Sequence, residues 1–222
     1  MCGRFALWTP PGTITRYFKV SVALDIQPRY NIAPGQNILV IRQTNATQRL
    51  PVLIRWGLIP SWAKEESVGY KMINARAESI MEKPAFKAAF KSRRCIIPAS
   101  GFYEWKKEGS SKQPYLIRLQ DADLFALAGI WESWKKPDSD AVIESCAILT
   151  TSANRVVGRI HDRMPVILRQ EDVDLWLDAK ASSQHIDSFM RPFDDRNMAC
   201  HRVSKAVNHV NHDGPSLIQS EE

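Results

Sequence analysis

Leu124-Phe125-Ala126-Leu127-Ala128-Gly129-Ile130-Trp131 and, one charged turn later, Ile143-Glu144-Ser145-Cys146-Ala147-Ile148-Leu149-Thr150-Thr151 decide the fold. Both are short apolar runs, rich in aliphatic and β-branched residues and bounded by breakers, as buried strands are. Neither approaches the ~18–20 apolar residues of a membrane-spanning helix. Asn37–Arg42, Pro51–Trp56, Cys95–Ile97, Tyr115–Leu119 and Pro165–Leu168 read the same way. Residues 48–56 and 115–119 partly alternate, as half-buried antiparallel strands do. Helix signals are fewer: Thr13–Phe18, Pro84–Lys91 with proline at the first helical position, Ser152–Ile160, Glu171–Ala179 and Ser182–Met190. Strands and helices do not alternate strictly, which disfavours a doubly wound parallel sheet. The expected fold is α+β, with a mainly antiparallel, barrel-like sheet and packed helices. Ala63–Tyr70, Lys106–Gln113 and Lys135–Asp140 read as loops, none of them biased enough for an interdomain hinge. Residues 1–222 are therefore expected to form a single domain, by default a monomer.

The chain has 222 residues, 44% hydrophobic and 24% charged, which excludes collagen-like and wholly disordered classes. Its net charge of +6 is unevenly spread: residues 1–111 sum to +10 and residues 112–222 to −4. A field of that shape attracts polyanions, nucleic acid foremost among them. Met1-Cys2-Gly3-Arg4 runs into Trp8-Thr9-Pro10-Pro11 without an apolar leader segment. The expected location is cytoplasmic, associated with the nucleoid through DNA if bacterial, neither secreted nor membrane-bound. Cys2, Cys95, Cys146 and Cys200 show no C-x-x-C and no zinc-ligand spacing with histidine. No metal, cofactor or disulfide framework is expected, and Cys95 and Cys146 read as small buried hydrophobes.

Cys2 differs because removal of Met1 would leave an α-amine and a thiol on adjacent carbons. Their reference pKa values, about 7.7–8.0 and about 8.5, leave a usable nucleophilic fraction of each at neutral pH. A 1,2-aminothiol condenses with an aldehyde to an imine and then closes to a five-membered thiazolidine, which an internal cysteine cannot do. With Met1 attached the nitrogen is an amide, and the chain is expected to be inactive. In Met72-Ile73-Asn74-Ala75-Arg76-Ala77-Glu78 an amide and a guanidinium stand two residues apart. Glu104, between Tyr103 and Trp105 just after an apolar strand, is a carboxylate whose pKa aromatic neighbours would raise, suiting it to proton transfer. His161, in Arg159-Ile160-His161-Asp162-Arg163-Met164-Pro165, is the best general acid/base among the five histidines. Trp56-Gly57-Leu58-Ile59-Pro60-Ser61-Trp62 offers two indoles on which bases can stack. Lys71–Arg94 carries seven bases and two acids; Phe86 and Phe90 there read as core, while Lys83, Lys87 and Lys91 are compatible with a solvated face or a DNA-facing one.

Met1-Cys2-Gly3-Arg4-Phe5, Arg29-Tyr30-Asn31-Ile32-Ala33-Pro34-Gly35, Trp56-Gly57 through Pro60 and Trp62, Ile73-Asn74-Ala75-Arg76, Gly101-Phe102-Tyr103-Glu104-Trp105 and His161-Asp162-Arg163-Met164-Pro165, with a weaker tail match at Val203-Ser204-Lys205-Ala206-Val207-Asn208, run in an order that resembles the SRAP (SOS-response-associated peptidase) family across nearly the whole chain. The family crosslinks to abasic sites in single-stranded DNA and is credited with autoproteolytic removal of its leading residue. The resemblance implies a self-processing peptidase with a lyase-like crosslinking activity. Cys2 would be the nucleophile, Asn74 would hold its amine or the sugar, Glu104 would transfer protons, and His161 would assist sugar ring opening and crosslink release. Arg4, Arg76 and Arg163 match positions near DNA phosphates, and Trp62 a position near the bases. Two other readings compete. An N-terminal-nucleophile glutamine amidotransferase would show glutaminase activity. A non-covalent single-strand binder would show salt-sensitive binding without an adduct.

Overall fold

In the computed structural model, which describes residues 2–21, 24–44 and 48–221, the two apolar runs lie in neighbouring antiparallel strands, β9 (Phe125–Lys135) and β10 (Val142–Ser152). They close a five-stranded barrel with β3 (Asn37–Gln43), β4 (Arg49–Trp56) and β6 (Arg94–Ala99). Going round it, β10 pairs with β4 in parallel, and β4–β3, β3–β6, β6–β9 and β9–β10 are all antiparallel. Closure leaves none of these five with a free edge. Gly129 interrupts the first run for a steric reason, since a Cβ there would meet Cys95 Sγ at 2.9 Å. Three short strands extend the barrel: β5 (Asn74–Arg76) and β11 (Arg163–Pro165) flank β10, and β12 (Ile167–Leu168) pairs with β9.

A second sheet has the order β13 (Met198–Arg202), β8 (Ser111–Leu119), β7 (Gly101–Glu108), β1 (Phe5–Leu7), β2 (Arg29–Ile32). The chain passes from barrel to sheet between β6 and β7 through one residue, Ser100. Its buried hydroxyl accepts from the backbone N–H groups of Trp8 and Thr9. The corner therefore fixes the N-terminal strand against both layers. The helices are short: α1 (Pro11–Phe18), α2 (Pro84–Ser92), α3 (Val173–Leu177) and α4 (Ser183–Phe189). The core between the layers holds Phe5, Trp56, Phe102, Phe125 and Trp176, with Cys95 and Cys146 buried as expected. No helix among the described residues is long and apolar enough to cross a membrane.

The α+β architecture matches the sequence reading, with three local corrections. Ser152–Ile160 is not a helix. It holds a single 3-10 turn, Val157–Arg159, because the chain must reverse there, Ala153 N–H bonding Asp162 C=O, to return as β11. Lys106–Gln113 is not a loop but the end of the β7–β8 hairpin, turned at Gly109 (φ +60°). Its outward charged residues conceal the pairing. Glu104 consequently lies within a strand rather than after one.

Candidate functional site

Cys2 leads into β1 and is fully buried. Asn74 Nδ2 donates to its carbonyl at 2.8 Å. Two bonds to the preceding carbonyl, Ile73 C=O, hold Asn74 there: one from Trp56 Nε1 at 2.9 Å and one from the Ile148 N–H at 3.1 Å. Asn74 itself begins β5, in parallel register with Ile148 of β10. Its Oδ1 is buried and accepts no hydrogen bond among the described residues. The sequence-predicted nucleophile and amide are thus in contact, with an acceptor to spare.

Glu104 approaches from β7. The Tyr103 N–H bonds Arg4 C=O at 2.9 Å, and Phe102 pairs with Phe5, so β7 runs beside the segment that carries Cys2. Only 3% exposed, Glu104 has its pKa pushed up to about 7 by burial, with the nearby charge of Asp162 adding to the effect. Burial also drives the Cys2 thiol far above its ordinary range, and the Glu104 charge raises it further. That departs from the sequence reading of a thiol titrating near its reference value: a residue at position 2 looks exposed in a sequence, but here β1 and β7 enclose it.

His161 sits in the turn before β11, half-buried. The Arg163 N–H donates to Nδ1 at 3.0 Å. Burial holds the ring below its ordinary pKa, and with Nδ1 accepting from Arg163 the neutral ring carries its proton on Nε2. Asp162 Oδ1 lies 2.9 Å from the same Nδ1 and would receive its proton when the ring is charged. The two partners therefore serve alternative protonation states.

The four cationic or aromatic positions assigned to DNA divide into two pairs. Trp62 is 62% exposed, and Arg76 is exposed. With Met72, Asn74, Lys83 and Phe86 they line a groove of about 340 Å³. Asn74 therefore bridges groove and nucleophile. Arg4 and Arg163, in contrast, already have partners. Arg4 Nη1 donates to Asn31 Oδ1 at 2.6 Å and Val207 C=O at 2.7 Å. Arg163 forms a two-pronged ion pair with Glu78, at 2.7 and 2.9 Å, and bonds Thr150 C=O at 2.7 Å.

Of the two indoles, Trp56 is fully buried and cannot stack on a base. Phe90 is core as expected, whereas Phe86 is half-buried and faces the groove. The Trp62 turn is set by backbone contact between Gly57 (φ +134°) and Gly69, where a Cβ on Gly57 would meet Gly69 O at 2.7 Å. Glu78, Thr150 and Asn31 were not singled out by the sequence. Glu78, four residues beyond Asn74, and Asn31 each stood inside a quoted motif segment, and Thr150 inside an apolar run, but no residue type there announced a role.

The fold and site together define a class: an α+β protein whose second residue, a buried cysteine, is hydrogen-bonded by an amide and lies within electrostatic reach of a buried carboxylate, beside a partly basic, aromatic groove. The chain belongs to the SRAP, SOS response associated peptidase, family, whose model matches residues 1–210. Abasic site processing protein YoqW of Bacillus subtilis is 44% identical over 99% of this chain and 100% of its own length. Abasic site processing protein HMCES of Xenopus tropicalis is 32% identical over 86% of this chain and 66% of its own. The crystal structure of a Bacteroides thetaiotaomicron protein superposes with a TM-score of 0.91 at 27% identity, each chain covered in full.

Proposed function

We propose that this protein processes abasic sites in single-stranded DNA by capturing the ring-opened sugar covalently on Cys2 once Met1 is removed. One observation carries the reading. A single side chain, Asn74, both binds the Cys2 carbonyl and lines the groove bearing Trp62 and Arg76, so a strand lying there would present its sugar to the nucleophile. An intact nucleotide has no free aldehyde, whereas an abasic deoxyribose exposes one in its open form. Damage is thus recognised by reactivity, while phosphate contacts only position the strand.

His161, neutral with its proton on Nε2, assists ring opening. The Cys2 amine then adds to the aldehyde carbon. Glu104, its pKa raised by burial, protonates the departing hydroxyl, which leaves as water, and an iminium remains whose nitrogen keeps its proton. Sulfur next bonds the same carbon while Glu104 takes back the thiol proton, and the C=N electron pair returns to nitrogen, which becomes the neutral ring N–H. The sum is aldehyde plus aminothiol giving thiazolidine plus water, with no change in oxidation state. The raised thiol pKa fits this order, since sulfur keeps its proton until the imine is in place. The Asn74 oxygen would accept from the Cys2 amine or a sugar hydroxyl. Removal of Met1 by the protein itself belongs to the same reading, which needs neither metal nor cofactor.

The test is a denaturing gel of verified mature protein incubated with single-stranded DNA carrying one abasic site. A heat-stable shifted band is expected, absent with intact DNA and abolished by Cys2→Ala. Absence of the band would leave a non-covalent strand binder.

A further inference from the structure

The ion pair between Glu78 and Arg163 joins two parts of the site that no other side-chain pair described above connects. Glu78 lies in the 3-10 turn Ala77–Ser79 that directly follows β5, the strand that holds Asn74 against the Cys2 carbonyl. Arg163 opens β11, and its backbone N–H is the donor that fixes Nδ1 of His161. The Arg163 side chain is only 14% exposed and is gripped on one edge by both oxygens of Glu78 and on the other by Thr150. Planar two-pronged pairing of this kind sets direction as well as distance. Arg163 holds the Glu78 carboxyl below its ordinary pKa, with Arg76 contributing, so the pair stays ionised at neutral pH.

We infer that Glu78 is a positioning residue. Through Arg163 it staples the nucleophile side of the site, Asn74 and Cys2, to the proton-transfer side, His161. Without the carboxylate, Arg163 keeps only its Thr150 bonds, and β11, three residues long, is freer to shift along β10. The His161 ring then loses its fixed angle, and a misplacement of about 1 Å can slow a reaction by up to about a hundredfold. The charged groups acting on His161 would be otherwise unchanged: the chain's amino group, Asp162 beside it and Arg163 two residues on.

This inference rests on the proposed capture of the abasic sugar, and the test separates the two. Wild-type mature protein, Glu78→Ala and Glu78→Asp are each assayed for affinity to an intact single strand and for the rate of trapping an abasic one. If the wild type traps nothing, the functional reading fails. If it traps, Glu78→Ala is expected to slow trapping at least tenfold while binding the intact strand as well as or more tightly than wild type, because an acid beside the groove is gone. Glu78→Asp, which keeps the charge and both acceptor oxygens, is expected to recover part of the lost rate. The inference is overturned if Glu78→Ala traps at the wild-type rate, or if it both binds tighter and traps faster, which would make Glu78 a stand-in for a DNA phosphate. It is equally overturned if binding and trapping fall together.

Discussion

Glu104→Gln is expected to make the protein more stable and less active, with an effect on stability that depends on pH. In the folded chain this carboxyl has a pKa near 7 in place of the ordinary 4.5, because β7 buries it beside Cys2 and near Asp162. Each tenfold difference in acidity corresponds to 1.36 kcal/mol, so holding the ionised form inside the fold costs about 3 kcal/mol. The folded pKa is raised, so the native state binds the extra proton between about pH 4.5 and pH 7. Stability from this group is therefore full below that window and lost as pH rises through 7. The amide of the variant cannot ionise and escapes the cost.

Thermal unfolding of wild type and Glu104→Gln at pH 5 and pH 8 measures this directly. At pH 5, where less than about 1 kcal/mol of the cost has accrued, midpoints within about 3 °C are expected. At pH 8 the variant should melt about 6–12 °C higher, taking roughly 2–4 °C per kcal/mol for a chain of this size. The same variant should trap abasic DNA more slowly while binding intact strand nearly as before, since Glu104 is buried away from solvent. A variant less stable than wild type at pH 8, or a difference independent of pH, would refute the assignment of a proton-holding carboxyl at this position.

Further predictions concern the groove and its supports. Trp62→Ala should weaken single-strand binding by about 1–3 kcal/mol in a fluorescence titration and leave the melting temperature unchanged, because the indole is exposed. Arg76→Gln should make the slope of log affinity against log salt shallower by about 0.7, the loss of one phosphate contact. Asn74→Ala removes the hydrogen bond to the Cys2 carbonyl; a loss of about 1 kcal/mol in urea unfolding and trapping slowed at least tenfold are expected. Gly57→Ala places a methyl against Gly69 O on a backbone at φ +134°, and should lower stability by about 1–3 kcal/mol.

The barrel was legible in the sequence because its strands carry contiguous apolar runs, Phe125–Ile130 and Cys146–Leu149 among them, that are buried in the core. Strands β1, β2, β5 and β13 were not, since three to five residues carry too little periodicity to separate a strand from a turn. The β7–β8 hairpin was hidden by its charged outward face. At the candidate site, residue types together with the family resemblance singled out Cys2, Asn74, Glu104 and His161 for the proposed aldehyde capture and proton transfer. What types could not announce was allocation. Arg4 and Arg163 look as available as Arg76 in the sequence, yet Asn31, Val207 and Glu78 engage the first two. Nor could sequence foresee a thiol enclosed at the second residue, which depends on β1 lying between β2 and β7.

The most direct test of the aminothiol chemistry is peptide mass spectrometry of the product formed from mature protein and an abasic oligonucleotide, with a thiol-alkylating reagent added after denaturation. The sugar is expected on the N-terminal peptide, heavier by the opened sugar less one water, with the Cys2 sulfur protected from alkylation. A sugar attached to a lysine, or an N-terminal adduct whose sulfur still alkylates, would contradict it.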